Sequence, residues 1–131
     1  MSERPVVGVG AVVWKDDQVL MIRRGNSPGK GQWSIPGGKQ EFGETTKAAA
    51  IREVLEETGV DIELLGLIGV YDSISPDGHF TLINYAARWM NGTPVHGGDA
   101  LDARYMTIAD IDSLEIWADV RAAIDLSRTL L

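Results

Sequence analysis

The chain has 131 residues, 44% of them hydrophobic and 24% charged, which suits one soluble domain spanning residues 1–131 and is too short for two ordinary cores. Twelve Lys and Arg stand against nineteen Asp and Glu, and the net charge of −7 speaks against non-specific binding to a nucleic acid backbone, which needs cation density. With no cysteine, no apolar run near the roughly 18 residues that span a bilayer, and no basic-then-apolar pattern at the opening MSERP, the default expectation is a cytoplasmic enzyme. Such an enzyme has no membrane partner, disulfide or thiolate metal site.

Residues 6–14 (VVGVGAVVW) are valine-rich and predict a buried strand, followed after a Lys15-Asp16-Asp17 turn by a second strand over 18–24 (QVLMIRR). Residues 25–38 (GNSPGKGQWSIPGG) are dense in Gly, Pro, Ser and Asn and predict a long loop, of a size that in a small domain usually carries function. Residues 45–58 give the strongest helix signal, with Thr45 or Thr46 as its cap and Gly59 suited to the left-handed position past its end. Two strands, 61–74 and 79–90, surround the turn Ser75-Pro76-Asp77-Gly78. A second polar loop covers 91–102, a short strand 103–106, and two helical pieces 109–114 and 117–130. Strands on both sides of one central helix, with another helix at the end, predict a mixed sheet packed between helices.

At about 100° per residue, Ile51, Val54, Leu55 and Thr58 share one face of the central helix, expected to pack on the sheet. Glu53, Glu56 and Glu57 fall opposite, above Ala49, with Arg52 at the edge of the acidic side. A solvated acidic face is the ordinary explanation for such a cluster. Here it is disfavoured, because Glu53 and Glu57 are like charges four apart, at a cost of roughly 0.2–0.5 kcal/mol, and negative charge in a last helical turn opposes the macrodipole. A divalent cation removes both penalties, and carboxylate oxygens on one rigid face suit magnesium.

The pattern around the helix is longer than the helix. Gly38, five residues, Glu44, seven residues, Arg52-Glu53-Val54, one residue, Glu56-Glu57, one residue and Gly59-Val60 together resemble the Nudix box at every defined position. The approach Trp33-Ser34-Ile35-Pro36-Gly37-Gly38 is similar to the family as well. The resemblance implies the α/β/α Nudix sandwich, an α/β (α+β) fold with its mixed sheet between helices. It implies Glu53 and Glu57 as metal ligands, Glu56 as a direct or water-mediated one, and a backbone carbonyl of Gly37 or Gly38 completing the shell around Mg2+, with Mn2+ as the alternative. Arg52 matches the residue that orients the catalytic glutamates. Glu44 matches a brace for the loop, and Gly38 and Gly59 match positions of tight backbone.

Nudix proteins use water to split a diphosphate linkage, so a general base is needed. Glu53 is one candidate, although a bound cation lowers a ligand's proton affinity; Asp99 and then Asp102, on the second loop, are the others. Arg23 and Arg24 close a strand and point to opposite faces, so at most one is expected to clamp a phosphate, with Arg23 ahead on the resemblance. Trp33 is a candidate for stacking on a base or ribose, and a loop anchor otherwise. Asp119, beside Trp117, sits where some relatives contact the nucleobase, although an acidic first helical turn explains it equally well. The loops and the segment DALDARY are most similar to small bacterial ADP-ribose pyrophosphatases, which implies hydrolysis of ADP-ribose to AMP and ribose 5-phosphate. A nucleoside triphosphate pyrophosphohydrolase sanitising nucleotides is the second reading, and a non-catalytic nucleotide-sensing Nudix domain the third, disfavoured because every box glutamate is present. An acidic adaptor domain would leave the helix charges without purpose. A homodimer is the default expectation from the resemblance.

Overall fold

A computed structural model describes residues 3–26 and 29–131; Met1, Ser2 and the Ser27-Pro28 part of the first loop lie outside the described residues. Strand β1 (Val6–Lys15) is buried from Gly8 to Trp14, as its nearly unbroken apolar run requires of a strand covered on both faces. It runs parallel to β6 (Gly78–Asn91) from Val6↔Phe80 to Trp14↔Arg88, and β6 forms an antiparallel hairpin with β5 (Asp61–Ser75) at the sheet edge. The tight turn into β2 (Gln18–Arg24) places Asp16 at φ 55°, a left-handed conformation that Asp tolerates better than most residues.

β1 and β2 pair only beside this turn, at Trp14↔Val19 and Lys15↔Gln18, and then diverge. Two short strands fill the opening: β3 (Trp33–Ser34) on β2, and β4 (Gly37–Lys39) on β1 from Gly8 to Gly10. The first loop therefore carries strand structure inside it. The diverging strands leave buried backbone groups that must find partners, and Ala11 donates to the Pro36 carbonyl at 3.1 Å for the same reason. On the other edge of β2 lies β7 (Ala100–Thr107), which starts three residues earlier than expected because β2 continues its pairing as far as Arg24↔Ala100.

The two faces of β1 alternate strictly. Val9, Ala11 and Val13 meet helix α1 (Thr46–Thr58) through Ala49, Ala50 and Val54, whereas Val12 and Trp14 meet helix α3 (Ala118–Ser127) through Val120, Ala123 and Ile124. The Trp14 indole N–H donates to Ser127 Oγ at 2.8 Å, locking α3 onto the sheet. The result is the expected α/β/α sandwich with a mixed sheet, and no helix of the described residues is long and apolar enough to cross a membrane. A short helix α2 (Ile108–Asp112) follows β7, with Thr107 and Asp110 in a reciprocal capping box. After α3 the chain tightens into a 3₁₀ turn, Arg128–Leu130.

Helix α1 is capped by the Thr45 hydroxyl, which accepts from Ala48 N at 3.1 Å; Thr46 instead shares a hydrogen bond with the Tyr85 hydroxyl. Gly59 ends it at φ 70°. Its orientation corrects the sequence expectation. Leu55 is 47% exposed, and the fully buried residues are Ala49, Ala50, Val54 and Thr58. The packed arc is centred near Ala50, and at about 100° per residue this places Glu53 and Glu57 within it, opposite to the expectation. Only Glu56, with 57% of its side chain exposed, lies on the outer side.

Candidate active site

Two glutamates on the packed side of a helix need partners, and β4 brings them. The Gly37 N–H donates to Glu57 Oε1 at 2.7 Å. Glycine is required at both positions by close approach. A Cβ at Gly37 would stand 2.2 Å from the Val9 carbonyl oxygen, and one at Gly38 would stand 2.2 Å from Glu53 Oε2. The Glu53 carboxylate therefore nests against bare backbone.

Arg52 ties the acidic groups together. Its Nε and Nη2 donate to the two Glu44 oxygens at 3.0 and 2.5 Å, Nη1 to Glu53 Oε1 at 2.8 Å and Glu56 Oε2 at 3.2 Å, and Nη2 also to the Lys39 carbonyl at 3.0 Å. This guanidinium holds the Glu44 carboxyl down at about 2, helped by the Glu41 N–H, and Glu44 in return pushes the Arg52 pKa up. Glu44 is thereby fastened between the loop and the helix, with Gln40 Nε2 donating to its carbonyl at 2.7 Å. Only a planar fork spans these partners at once. Arg52→Lys is expected to lower kcat by about 10- to 100-fold, as loss of an orienting partner does elsewhere, with a Tm loss of a few degrees. Steady-state rates and a thermal melt check both, and wild-type turnover in the variant would sink the orienting role.

Glu57 lies deeper. Burial pushes its carboxyl up to about 7; the Gly37 N–H works against this, the charges of Glu53 and Asp99 add to it, and Arg24 opposes. Among the described residues no three acidic or histidine side chains stand together as a ready-made metal cluster, because Glu53 and Glu56 turn toward Arg52. The donor set nevertheless fits a hard cation. Glu53 and Glu57 converge on Gly37-Gly38, and all of their ligating atoms are oxygens. Gly37 meets Glu57 through its amide rather than through the carbonyl that the resemblance implies as a ligand.

A cleft of about 1160 Å³ opens from these carboxylates across the sheet toward α3, and it includes Arg24, Asp99 and Asp119. Asp99 is carried there by a loop fastened to the C-terminal carbonyls of α1, with Val95 N on Thr58 O at 2.9 Å and Gly97 N on Glu57 O at 2.8 Å. Gly25 makes room for it, since a Cβ there would stand 2.0 Å from the Asp99 carbonyl oxygen. Asp102 is turned away from the cleft. It caps Ala103 N at 2.8 Å and pairs with Arg104, which holds its carboxyl below the usual range. Of the two arginines, Arg24 lines the cleft; Arg23 is exposed and donates through Nε to the Gly31 carbonyl at 3.0 Å. The Trp33 ring lies outside the cleft, packed on the α3-side core with the Arg104 guanidinium 5.1 Å from its centre. Trp117 occupies the wall instead, with the Arg24 guanidinium 5.6 Å from its centre and Gly29 against its edge. Leu82, Asn84 and Tyr71 of the β5–β6 hairpin also line the cleft. Sequence reasoning missed them, although the alternation Gly8-Val9-Gly10 signals a strand face kept free of side chains.

The chain belongs to the Nudix family: the NUDIX domain pattern matches residues 4–126. It is 37% identical over 112 residues to an ADP-ribose pyrophosphatase of Methanocaldococcus jannaschii, covering 84% of this chain and 66% of that protein, just under two thirds of its length. It is 34% identical over 128 residues to a putative 8-oxo-dGTP diphosphatase 2 of Mycobacterium tuberculosis, covering 95% and 89%. The crystal structure of a MutT NUDIX hydrolase from Burkholderia pseudomallei superposes with a TM-score of 0.84 at 29% identity, covering 95% of this chain and 98% of that one. Fold and box are those of the family's pyrophosphohydrolases.

Proposed function

We propose that this protein hydrolyses the pyrophosphate linkage of a nucleoside diphosphate derivative, with ADP-ribose as the first substrate, giving AMP and ribose 5-phosphate. The observation that carries this reading is the nest of Glu53 and Glu57 against Gly37-Gly38 in the wall of a cleft of about 1160 Å³. The similarity to an ADP-ribose pyrophosphatase supports the substrate. Glu53, Glu57 and Glu56, with a carbonyl of Gly37 or Gly38, would hold Mg2+ or Mn2+, which when bound neutralises phosphate charge and acidifies water.

The chain's own groups do the rest. Arg24, on the cleft wall, clamps a phosphate oxygen, and Arg52 keeps Glu53 and Glu56 in place. Asp99 takes the proton from the attacking water. The water oxygen bonds to one phosphorus, the bridging P–O bond on that phosphorus breaks, and the bridging oxygen leaves with the other phosphate. Asp119 and Trp117 face the group attached to the diphosphate.

A second reading, nucleoside triphosphate pyrophosphohydrolysis, is favoured by the similarity to the putative 8-oxo-dGTP diphosphatase, which covers most of both chains. Incubation with Mg2+ and a panel of ADP-ribose, other nucleoside diphosphate sugars and nucleoside triphosphates separates the two. AMP and ribose 5-phosphate are the expected products. Pyrophosphate from the triphosphates alone selects the second reading, and no product from any member leaves a nucleotide sensor.

A further inference from the structure

One row of the sheet connects the carboxylates to the far wall of the cleft. Gly37 pairs with Gly10, Gly10 with Asn84, and Asn84 with Gly69, so four strands contribute one residue each at the same level. Three of the four are glycines, which leaves the sheet surface bare along the row. Neighbouring side chains lie down over it. Asn84 Oδ1 stands 2.7 Å from where a Gly10 Cβ would be, and the Tyr71 hydroxyl stands 2.6 Å from where a Gly69 Cβ would be. Leu82 leans over Gly8 in the same way, at 2.8 Å.

Asn84 is out of character for its position. It sits inside the central strand β6, between Leu82 and the fully buried Ala86 on the same face, where Asn is a poor strand former. Among the described residues neither its amide nor the Tyr71 hydroxyl has a hydrogen-bond partner; Asn84 is half-buried and Tyr71 38% exposed, so both are open to a ligand. Both line the cleft, together with Phe80, Leu82 and Asp72 of the hairpin and Val120, Leu126 and Asp119 of α3. Polar groups without protein partners, held on adjacent paired strands in a cleft of mixed lining, are suited to a specificity contact. Two strand spacings, about 10 Å, separate Gly37 from Asn84. That is the reach of a ribose and an attached ring from a diphosphate held at Glu53 and Glu57.

We infer that the Asn84 amide and the Tyr71 hydroxyl, spread over the glycine row, hold the polar edge of the nucleobase and determine which base is accepted. This rests on the proposed hydrolysis of a nucleoside diphosphate derivative. The amide supplies one acceptor and two donors, the pattern with which Asn pairs bidentately to a purine edge, and the hydroxyl supplies one more of either kind.

The test uses three nucleoside 5′-diphosphoriboses that differ only in the base: adenine, hypoxanthine and uracil. Wild-type protein is expected to rank them in kcat/KM across at least about tenfold, purine above pyrimidine. Asn84→Leu, close in volume, should compress the ranking toward equality, with KM carrying most of the change, and Tyr71→Phe should do so to a smaller extent. An unchanged ranking in Asn84→Leu, or an equal loss on all three substrates, overturns the inference. If wild-type protein cleaves none of the three, the proposed hydrolysis fails, and the subsite is read by thermal shift with AMP against ribose 5-phosphate. An extra AMP shift that disappears in Asn84→Leu upholds the inference, and equal shifts in both proteins overturn it.

Discussion

Glu53→Gln is expected to lower kcat by at least about 10³-fold, equal to about 4 kcal/mol of transition-state stabilisation, while the fold persists. The exchange removes one charge and almost no volume. Glu53 has 16% of its side chain exposed, its Oε1 accepts from Arg52 at 2.8 Å, and its carboxylate lies against Gly38. A glutamine carbonyl can keep the Arg52 contact and the nest. It cannot replace an anionic oxygen at a site where two phosphates must be brought beside Glu57, and one charge fewer also relieves the repulsion that Glu53 exerts on Glu57. The melting temperature should therefore hold or rise. Product release on the preferred substrate, measured beside a thermal melt, decides the matter: a folded variant within tenfold of wild type removes Glu53 from the chemistry.

The second large effect couples pH, stability and metal through Glu57. Its carboxyl, pushed up to about 7 from 4.5, binds a proton more tightly in the folded chain than in the unfolded one. Metal-free protein then has the full benefit of this group below about pH 4.5 and loses it as pH rises through about 7. The loss is about 3 kcal/mol, or on the order of 10 °C in Tm for a domain of this size. Glu44 acts in the opposite direction. Its carboxyl is held at about 2, so its contribution is present above the ordinary carboxylate range and disappears only in stronger acid, below the window of interest. Melts with a chelator between pH 5.5 and 8 should show stability falling, and Glu57→Gln should flatten the curve. Cation binding needs the ionised carboxylate, so Mg2+ affinity should rise over the same interval and a proton should be released on binding near pH 6. A wild-type chelated protein equally stable at both ends would refute the buried, protonated Glu57.

The acidic residues of the candidate site were legible because their relation is local. Glu53, Glu56 and Glu57 meet on one helix through spacings of three, four and one. Gly59 stops that helix where a left-handed residue must stand, and Glu44 reaches Arg52 across the turn that opens it. The buried strand β1 was equally plain from its valines, since a strand covered on both faces has no polar alternation to obscure it.

What the local pattern misassigned was direction. Polarity alone puts three glutamates in water, yet Glu53 and Glu57 face inward because β4 returns to offer the Gly37 N–H and a side-chain-free Gly38. Strands of two and three residues cannot announce themselves, since β3 and β4 exist only where β1 and β2 part and leave backbone groups to be satisfied. A register shift between Arg23 and Arg24 accompanies the placing of Arg24 in the cleft while Arg23 stays outside. Trp117 rather than Trp33 faces the cleft because β3 packs Trp33 onto the core, whereas Trp117 stands at the start of a helix that looks across the sheet.

The sequence by itself determined the family, the fold class and the helix of carboxylates, all of which rest on spacings within about twenty residues. The tertiary structure alone decided which side of that helix is packed, which arginine and which tryptophan meet the cleft, and that Asn84 lies in one row with Gly37, Gly10 and Gly69, with the Tyr71 hydroxyl over Gly69. Those relations join residues far apart in the chain, Gly10 to Asn84 through strand register and Arg24 to Trp117 through the packing of α3 on the sheet.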